Sequence, residues 1–206
     1  MPQTTAIIVG TGGMARWHIR SMLAQTRTAR IVGFVEVSEA QRDATRKLFA
    51  DAKRECPPFY DSIGKLVRQQ GAPDAAFIVT PHKFHLENTR DCLAAGMDVL
   101  LEKPMVLNAA EARRLIQIRD KTKRLLVVAF PGSLSPAIKK AKQLLQQGAI
   151  GRVTHVAAWV HQAWKRATTG TWRQVPEISG GGFLFDTGSH MVNTVLDLIE
   201  IGRAHV

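Results

Sequence analysis

Cysteine is scarce in this 206-residue chain: there are two, Cys56 and Cys92, and they lack the C-x-x-C spacing of a zinc or redox site. That argues against a disulfide framework and against structural zinc, and it fits a reducing, cytoplasmic compartment. Long hydrophobic runs are missing too. No stretch approaches the ~18 apolar residues that mark a membrane span. Met1-Pro2-Gln3-Thr4-Thr5 leads straight into Ala6-Ile7-Ile8-Val9, with no basic region or cleavage site, so no secretion signal is read. Acidic residues are few, 17 against 28 Lys and Arg, for a net charge of +11. Such an excess suits nucleic acid or an anionic ligand. The basic residues are dispersed, however, except at Arg113, Arg114, Arg119, Lys121, Lys123 and Arg124. At helical spacing that group is a solvated face whose basic last turn complements the helix dipole. No helix-turn-helix, zinc finger or aromatic-interleaved basic strip accompanies it. Neither nucleic acid nor a membrane is an expected partner.

What is present is ordinary globular composition, 45% hydrophobic and 22% charged, enough for one medium domain and part of another. Over the first 130 residues, short apolar runs alternate with helical patterns, the signature of a parallel sheet with crossover helices. Strands are expected at Thr5–Gly10, Ile31–Val37, Ala75–Val79, Asp98–Leu101 and Leu125–Phe130. Helices are expected at Met14–Gln25, Ser38–Ala52, Ser62–Gln70, Phe84–Ala95 and Asn108–Thr122. Gly96 stands where a helix-ending glycine belongs, and Asn108 with Glu111 forms a capping box. Beyond Pro131 the pattern changes to a helix over Ala137–Gln147 and a long alternating strand over Arg152–His161. An irregular loop over Thr168–Gly182 and one helix over Phe183–Ile199 follow. One strand cannot make a sheet, so the second domain is expected to be incomplete. The expected division is 1–130, 131–199 and a tail, 200–206. Ile201-Gly202-Arg203-Ala204-His205-Val206 back-translates to ATC GGA AGA GCA CAC GTC, which resembles a common sequencing adapter. The tail is therefore expected to be technical in origin.

Gly10-Thr11-Gly12-Gly13-Met14-Ala15 follows a predicted strand and opens a predicted helix. Gly10 permits the tight turn, Gly12 lets a pyrophosphate approach the backbone, and Ala15 allows close helix–strand packing. The N–H groups of Gly13 and Met14 would face the phosphates at the positive end of the helix. Glu36 ends the second strand, where an acidic side chain accepts ribose hydroxyls and repels a 2′-phosphate. That points to NAD in preference to NADP. Thr80-Pro81 and Glu102-Lys103-Pro104 end the third and fourth predicted strands, on the same cofactor side. Glu102 and the apolar strand behind it favour a working Lys103 over a merely solvated one. Asp186 and His190, four apart on one predicted helix, supply a carboxylate–imidazole pair suited to proton transfer. The triple glycine 180–182 and Gly188 suggest close backbone approach beside that pair.

Together, Gly10–Ala15, Thr80-Pro81-His82-Lys83-Phe84-His85, Glu102-Lys103-Pro104 and Asp186-Thr187-Gly188-Ser189-His190 resemble the glucose–fructose oxidoreductase / inositol dehydrogenase (Gfo/Idh/MocA) family in order and spacing. The resemblance implies an α/β fold: an N-terminal Rossmann domain with a doubly wound parallel sheet, then an α/β domain whose open sheet often mediates oligomers. It also implies NAD(P)-dependent oxidation or reduction of a sugar, cyclitol or related polyol by what would be a homo-oligomer. By that resemblance Thr80, Pro81, His85, Glu102 and Lys103 flank the cofactor. Lys103 binds the reacting oxygen, His190 acts as acid–base, and Asp186 supports them, with no metal. Trp172 and Arg173 fit a substrate loop, one for stacking on a sugar face and the other for a hydroxyl or carboxylate. Two positions depart from the family pattern. Asn193 replaces an aspartate, and Phe130-Pro131-Gly132-Ser133 replaces a basic residue. The rival reading is a non-catalytic dinucleotide-binding or sensor protein of the same fold.

Overall fold

The computed structural model describes residues 3–25 and 27–199. The chain divides into two compact units, one through Val128 and one from Ala129. The first is built on six strands: β1 (Thr4–Val9), β2 (Ala29–Val35), β3 (Phe59–Tyr60), β4 (Ala75–Ile78), β5 (Asp98–Glu102) and β6 (Leu126–Ala129). They lie in the order β3-β2-β1-β4-β5-β6, and the pairs β3–β2, β2–β1, β1–β4 and β4–β5 are parallel. Helices α1 (Gly13–Ala24), α2 (Glu39–Asp51), α3 (Ile63–Gln70), α4 (His85–Ala94) and α5 (Ala109–Thr122) make the crossovers.

Successive side chains of the central strands point to opposite faces and join two different cores. Ile7 and Val9 join one core with Ile78, Leu93, Leu101 and Leu115. Ile8 joins the other, with Ala15, Ile19, Phe34, Leu48 and Phe49. A sheet buried on both faces needs continuous apolar runs, and that is what these strands contain. Each fully buried Ile or Leu contributes roughly 1.5–3 kcal/mol. Cys92 is part of this core, and burial pushes its thiol well above the ordinary range. The chain leaves β1 for β2 on one side and returns to β4 on the other. That reversal opens a crevice beyond the carboxyl ends of the strands, where such sheets take ligands.

β3 is an edge strand that sequence patterning does not reveal. It is two residues long and follows Pro57-Pro58, yet the Phe34 N–H donates to Pro58 O and the Glu36 N–H to Tyr60 O, at 2.9 and 3.0 Å. Prolines are tolerated at an edge because no ladder donor is lost there.

The second unit contains α6 (Pro136–Gln146), α7 (Trp164–Thr168), α8 (Pro176–Ser179) and α9 (Ser189–Leu198), with 3₁₀ turns at Pro131–Leu134 and Trp172–Gln174. Ser135 caps α6 by accepting from the Ile138 N–H, and Lys142 pairs with Asp197 at 2.8 Å, tying α6 to α9. Three expectations need correction here. Residues 152–161 form no strand and are almost wholly exposed, because no described segment offers a neighbouring ladder. The loop expected over 168–182 contains α8 and a 3₁₀ turn. The helix expected over Phe183–Ile199 starts with a π-type turn, Leu184–Gly188, before α9. The expectation for the tail lies outside the described residues.

Candidate functional site

The glycine loop between β1 and α1 uses its glycines for different reasons. Gly10 has φ +82°, and a Cβ there would lie 2.9 Å from Thr80 Cγ2 and 3.0 Å from the Thr80 backbone. Gly12 has an extended conformation open to any residue, with φ −61°, and a Cβ there would meet nothing within 4 Å. The chain itself makes no demand for glycine at Gly12. The open ground before α1 is what a bulkier residue would fill. No side chain caps α1, and its first turn carries no acidic residue, so its N–H groups and positive dipole end face that ground. Ala15 is fully buried against the sheet, while Met14 is partly exposed at the mouth. This cradle fits a dinucleotide pyrophosphate.

Glu36 braces the loop. Its Oε2 accepts from the Thr11 N–H at 2.8 Å and the Thr11 hydroxyl at 3.1 Å. Its Oε1 accepts from the N–H groups of Val37 and Ser38, both at 2.9 Å. The nearby guanidinium of Arg42 is committed elsewhere: it donates to Glu36 O and to Asp61 Oδ1.

At the ends of β4 and β5 the expected residues converge within the first unit. The Thr80 hydroxyl accepts from Asn88 Nδ2 at 3.2 Å, and Pro81 follows in an extended conformation. His85 is fully buried, with Nε2 2.9 Å from Thr80 O and Nδ1 2.9 Å from Pro104 O. Burial pushes its pKa down, although the carbonyls oppose that. The enclosed ring holds the two strand ends together. Glu102 Oε1 lies 2.8 Å from His18 Nε2, on α1, and its Oε2 accepts from the Lys103 N–H at 3.2 Å. The Lys103–Pro104 peptide is cis, and Lys103 is half-buried. Sequence reasoning missed His18, which shows itself only through a partner 84 residues away.

In the second unit, the π-type turn carries Asp186 and leads directly into α9 with His190. Asp186 is buried, and its Oδ2 accepts from Trp164 Nε1 at 2.8 Å and from Arg173 Nε at 3.2 Å. The Arg173 guanidinium also lies over the Trp172 ring, 4.5 Å from its centroid. His190 meets the Phe130 ring edge-on at 5.7 Å. The two departures from the family pattern meet each other, since Asn193 Nδ2 donates to Ser133 Oγ at 2.5 Å. Asp186 thus organises Trp164 and Arg173 as well as standing one turn from His190. The bond from the Trp164 indole N–H to a buried carboxylate is not visible in a linear sequence.

A cavity of about 750 Å³ opens at the opposite, amino-terminal ends of β1 and β2, beside Thr5, Met22, Phe49 and Pro57. It is remote from the strand ends where this architecture takes ligands. Among the described residues, no group of His, Cys, Asp and Glu is arranged to hold a metal ion, and no helix is long and apolar enough to cross a membrane.

Comparison with known proteins agrees with this arrangement. The chain is 28% identical over 190 residues to Oxidoreductase P35 of Formosa agariphila, covering 90% of this chain and 57% of that protein. It is 30% identical over 131 residues to D-xylose 1-dehydrogenase (NADP(+)) of Haloarcula marismortui, covering 63% of this chain and 36% of that one. The crystal structure of apo scyllo-inositol dehydrogenase from Lactobacillus casei superposes with a TM-score of 0.79 at 25% identity, over 96% of this chain and 55% of that chain. The chain therefore spans between about a third and three-fifths of the length of these relatives. The model described as the oxidoreductase family, NAD-binding Rossmann fold, matches residues 4–130, and the GFO/IDH/MocA C-terminal domain model matches residues 138–204. With the larger part of its length so matched, the chain belongs to the Gfo/Idh/MocA family of oxidoreductases.

Proposed function

We propose that this chain carries the cofactor site and the proton-transfer residues of an NAD(H)-dependent oxidoreductase that acts on a CH–OH group of a sugar, cyclitol or related polyol. Residues 1–130 form its dinucleotide domain, and 131–199 begin its substrate domain. One observation carries the reading: the uncapped α1 terminus fronted by empty space at Gly12, at the sheet end that also bears Lys103. Similarity to a D-xylose dehydrogenase and to a scyllo-inositol dehydrogenase supports the substrate class.

A bound nicotinamide supplies the hydride acceptor for the carbinol carbon. Gly12, Gly13, Met14 and Ala15 present backbone to the pyrophosphate, with Gly10 making the turn. Thr80, Pro81 and Glu102 wall the adjoining space. Glu36 accepts the adenosine ribose hydroxyls by exchanging part of its present bonding to Thr11, Val37 and Ser38. Its negative charge disfavours a 2′-phosphate, and Arg42 is already spent on Glu36 O and Asp61. That combination favours NAD over NADP. Lys103 holds the reacting oxygen through its ammonium, and His190 takes the hydroxyl proton. Asp186 holds Arg173 and Trp164, and through them the Trp172 loop, against the substrate. The whole enzyme is a cytoplasmic homo-oligomer in this reading.

The test is a screen of sugars and cyclitols for NADH formation by the whole enzyme, followed by Lys103→Ala and His190→Ala. Each substitution should lower kcat at least about a hundredfold, within the range of general acid–base catalysis. Full turnover by both variants would contradict the reading.

A further inference from the structure

Lys103 stands just past the end of β5, where the sheet ladder no longer fixes the backbone. Its neighbours on both sides are nevertheless held by histidines from two different helices. On one side, His18 of α1 meets Glu102 Oε1 at 2.8 Å, with both side chains only 13% exposed. The other oxygen of the same carboxylate accepts from the Lys103 N–H. The His18 ring is itself fixed by edge contacts with Trp17 and Phe77 at 5.2 and 5.9 Å. On the other side, His85 of α4 places Nδ1 against Pro104 O and Nε2 against Thr80 O.

We infer that His18 and His85 form a bracket around Glu102-Lys103-Pro104, and that they are positioning residues for the Lys103 ammonium. The inference rests on the catalytic reading of Lys103 proposed above.

The bracket also reaches the glycine loop. α1, which carries His18, starts from that loop, and Gly10 packs on Thr80, whose carbonyl His85 faces. The lysine and the pyrophosphate cradle are therefore referenced to the same frame. An imidazole kept only as core filler has no need of a carboxylate on its nitrogen, and an aromatic hydrocarbon would pack as well. Buried polar groups are retained where their bonds are made, and each histidine has a bond that ends at a residue flanking Lys103, Glu102 or Pro104. Displacement of a catalytic group by about 1 Å can cost on the order of a hundredfold in rate, so the frame has kinetic consequences.

A double-mutant cycle tests this in the whole enzyme, with His18→Leu, His18→Gln, His85→Asn and His85→Leu made in the native and the Lys103→Ala backgrounds. Acting through Lys103, the two leucine variants should each lower kcat at least about tenfold and leave the NADH Kd within about twofold. His18→Gln, which keeps a donor for Glu102, should recover most of the rate. Neither histidine substitution should slow the Lys103→Ala enzyme further. Equal losses in both backgrounds would overturn the bracket and leave the catalytic assignment standing. So would weakened NADH binding with kcat intact. Full activity of Lys103→Ala alone would overturn the catalytic assignment, and the bracket with it. Should His85→Leu fail to fold, the His18 variants and the milder His85→Asn carry the same comparison.

Discussion

A Cβ on Gly10 would press on the Thr80 backbone, whereas one on Gly12 would project into open space. The two glycines therefore separate folding from binding. Gly10→Ala should destabilise the first unit by at least about 1–2 kcal/mol, the cost of a left-handed backbone for an L-residue, with the contact against Thr80 added. Gly12→Val should leave the melting temperature nearly unchanged and abolish NADH binding, measured by fluorescence titration. His85 makes a different prediction. Burial holds its pKa below the ordinary 6.5, so at pH values between the folded pKa and 6.5 the unfolded chain binds more protons. Its contribution to stability is complete above about pH 6.5 and is lost as the pH falls through the folded value. Denaturant unfolding should show this loss below pH 6.5, and it should be reduced in His85→Asn. At this scale the sequence exposes residue types and spacings but not partners. The glycine pattern and Glu36 stand out in it, whereas the His18–Glu102 and Trp164–Asp186 contacts join residues far apart in the chain.

At the scale of elements, caps and amphipathic periods are local properties, and they were legible. α5 begins where Asn108 and Glu111 place it: Asn108 Oδ1 accepts from the Glu111 N–H at 3.0 Å, and Glu111 Oε2 accepts from the Leu107 N–H at 3.1 Å. Asn108→Ala should cost about 1 kcal/mol and lower the melting temperature by roughly 2–8 °C. Pairing is not local, and it was harder to read. β3 exists because β2 offers an edge to Phe59–Tyr60, although two residues after a proline pair carry no strand signal. Residues 152–161 have the alternation of a strand but no ladder among the described residues, and they are irregular and almost wholly exposed. Their amides should exchange with deuterium almost as fast as an unstructured peptide, while those of Ile7, Ile8 and Val9 exchange slowest. Strong protection across 153–161 would contradict this description. The π-type turn at Leu184–Gly188 was equally invisible, since an extra residue in one turn leaves the helical pattern on either side intact.

At the scale of the whole molecule, the doubly wound sheet was legible because burial on both faces forces nearly continuous apolar runs at crossover spacing. The second unit was legible mainly in its helices, because no described segment pairs with its expected strand. The proposed site residues divide along the same boundary: Gly10–Ala15, Glu36 and Lys103 belong to the first unit, and Asp186 and His190 to the second. The central claim is that the first unit is a dinucleotide site whose choice of cofactor is set by the charge on Glu36. Parallel titration of this chain with NADH and NADPH, repeated on Glu36→Gln, tests it most directly. The native chain should bind NADH at least about tenfold more tightly, a difference of about 1.4 kcal/mol, and Glu36→Gln should narrow that ratio by keeping the side-chain shape while removing the charge. Equal or tighter binding of NADPH by the native chain would contradict it, as would a ratio that Glu36→Gln leaves unchanged.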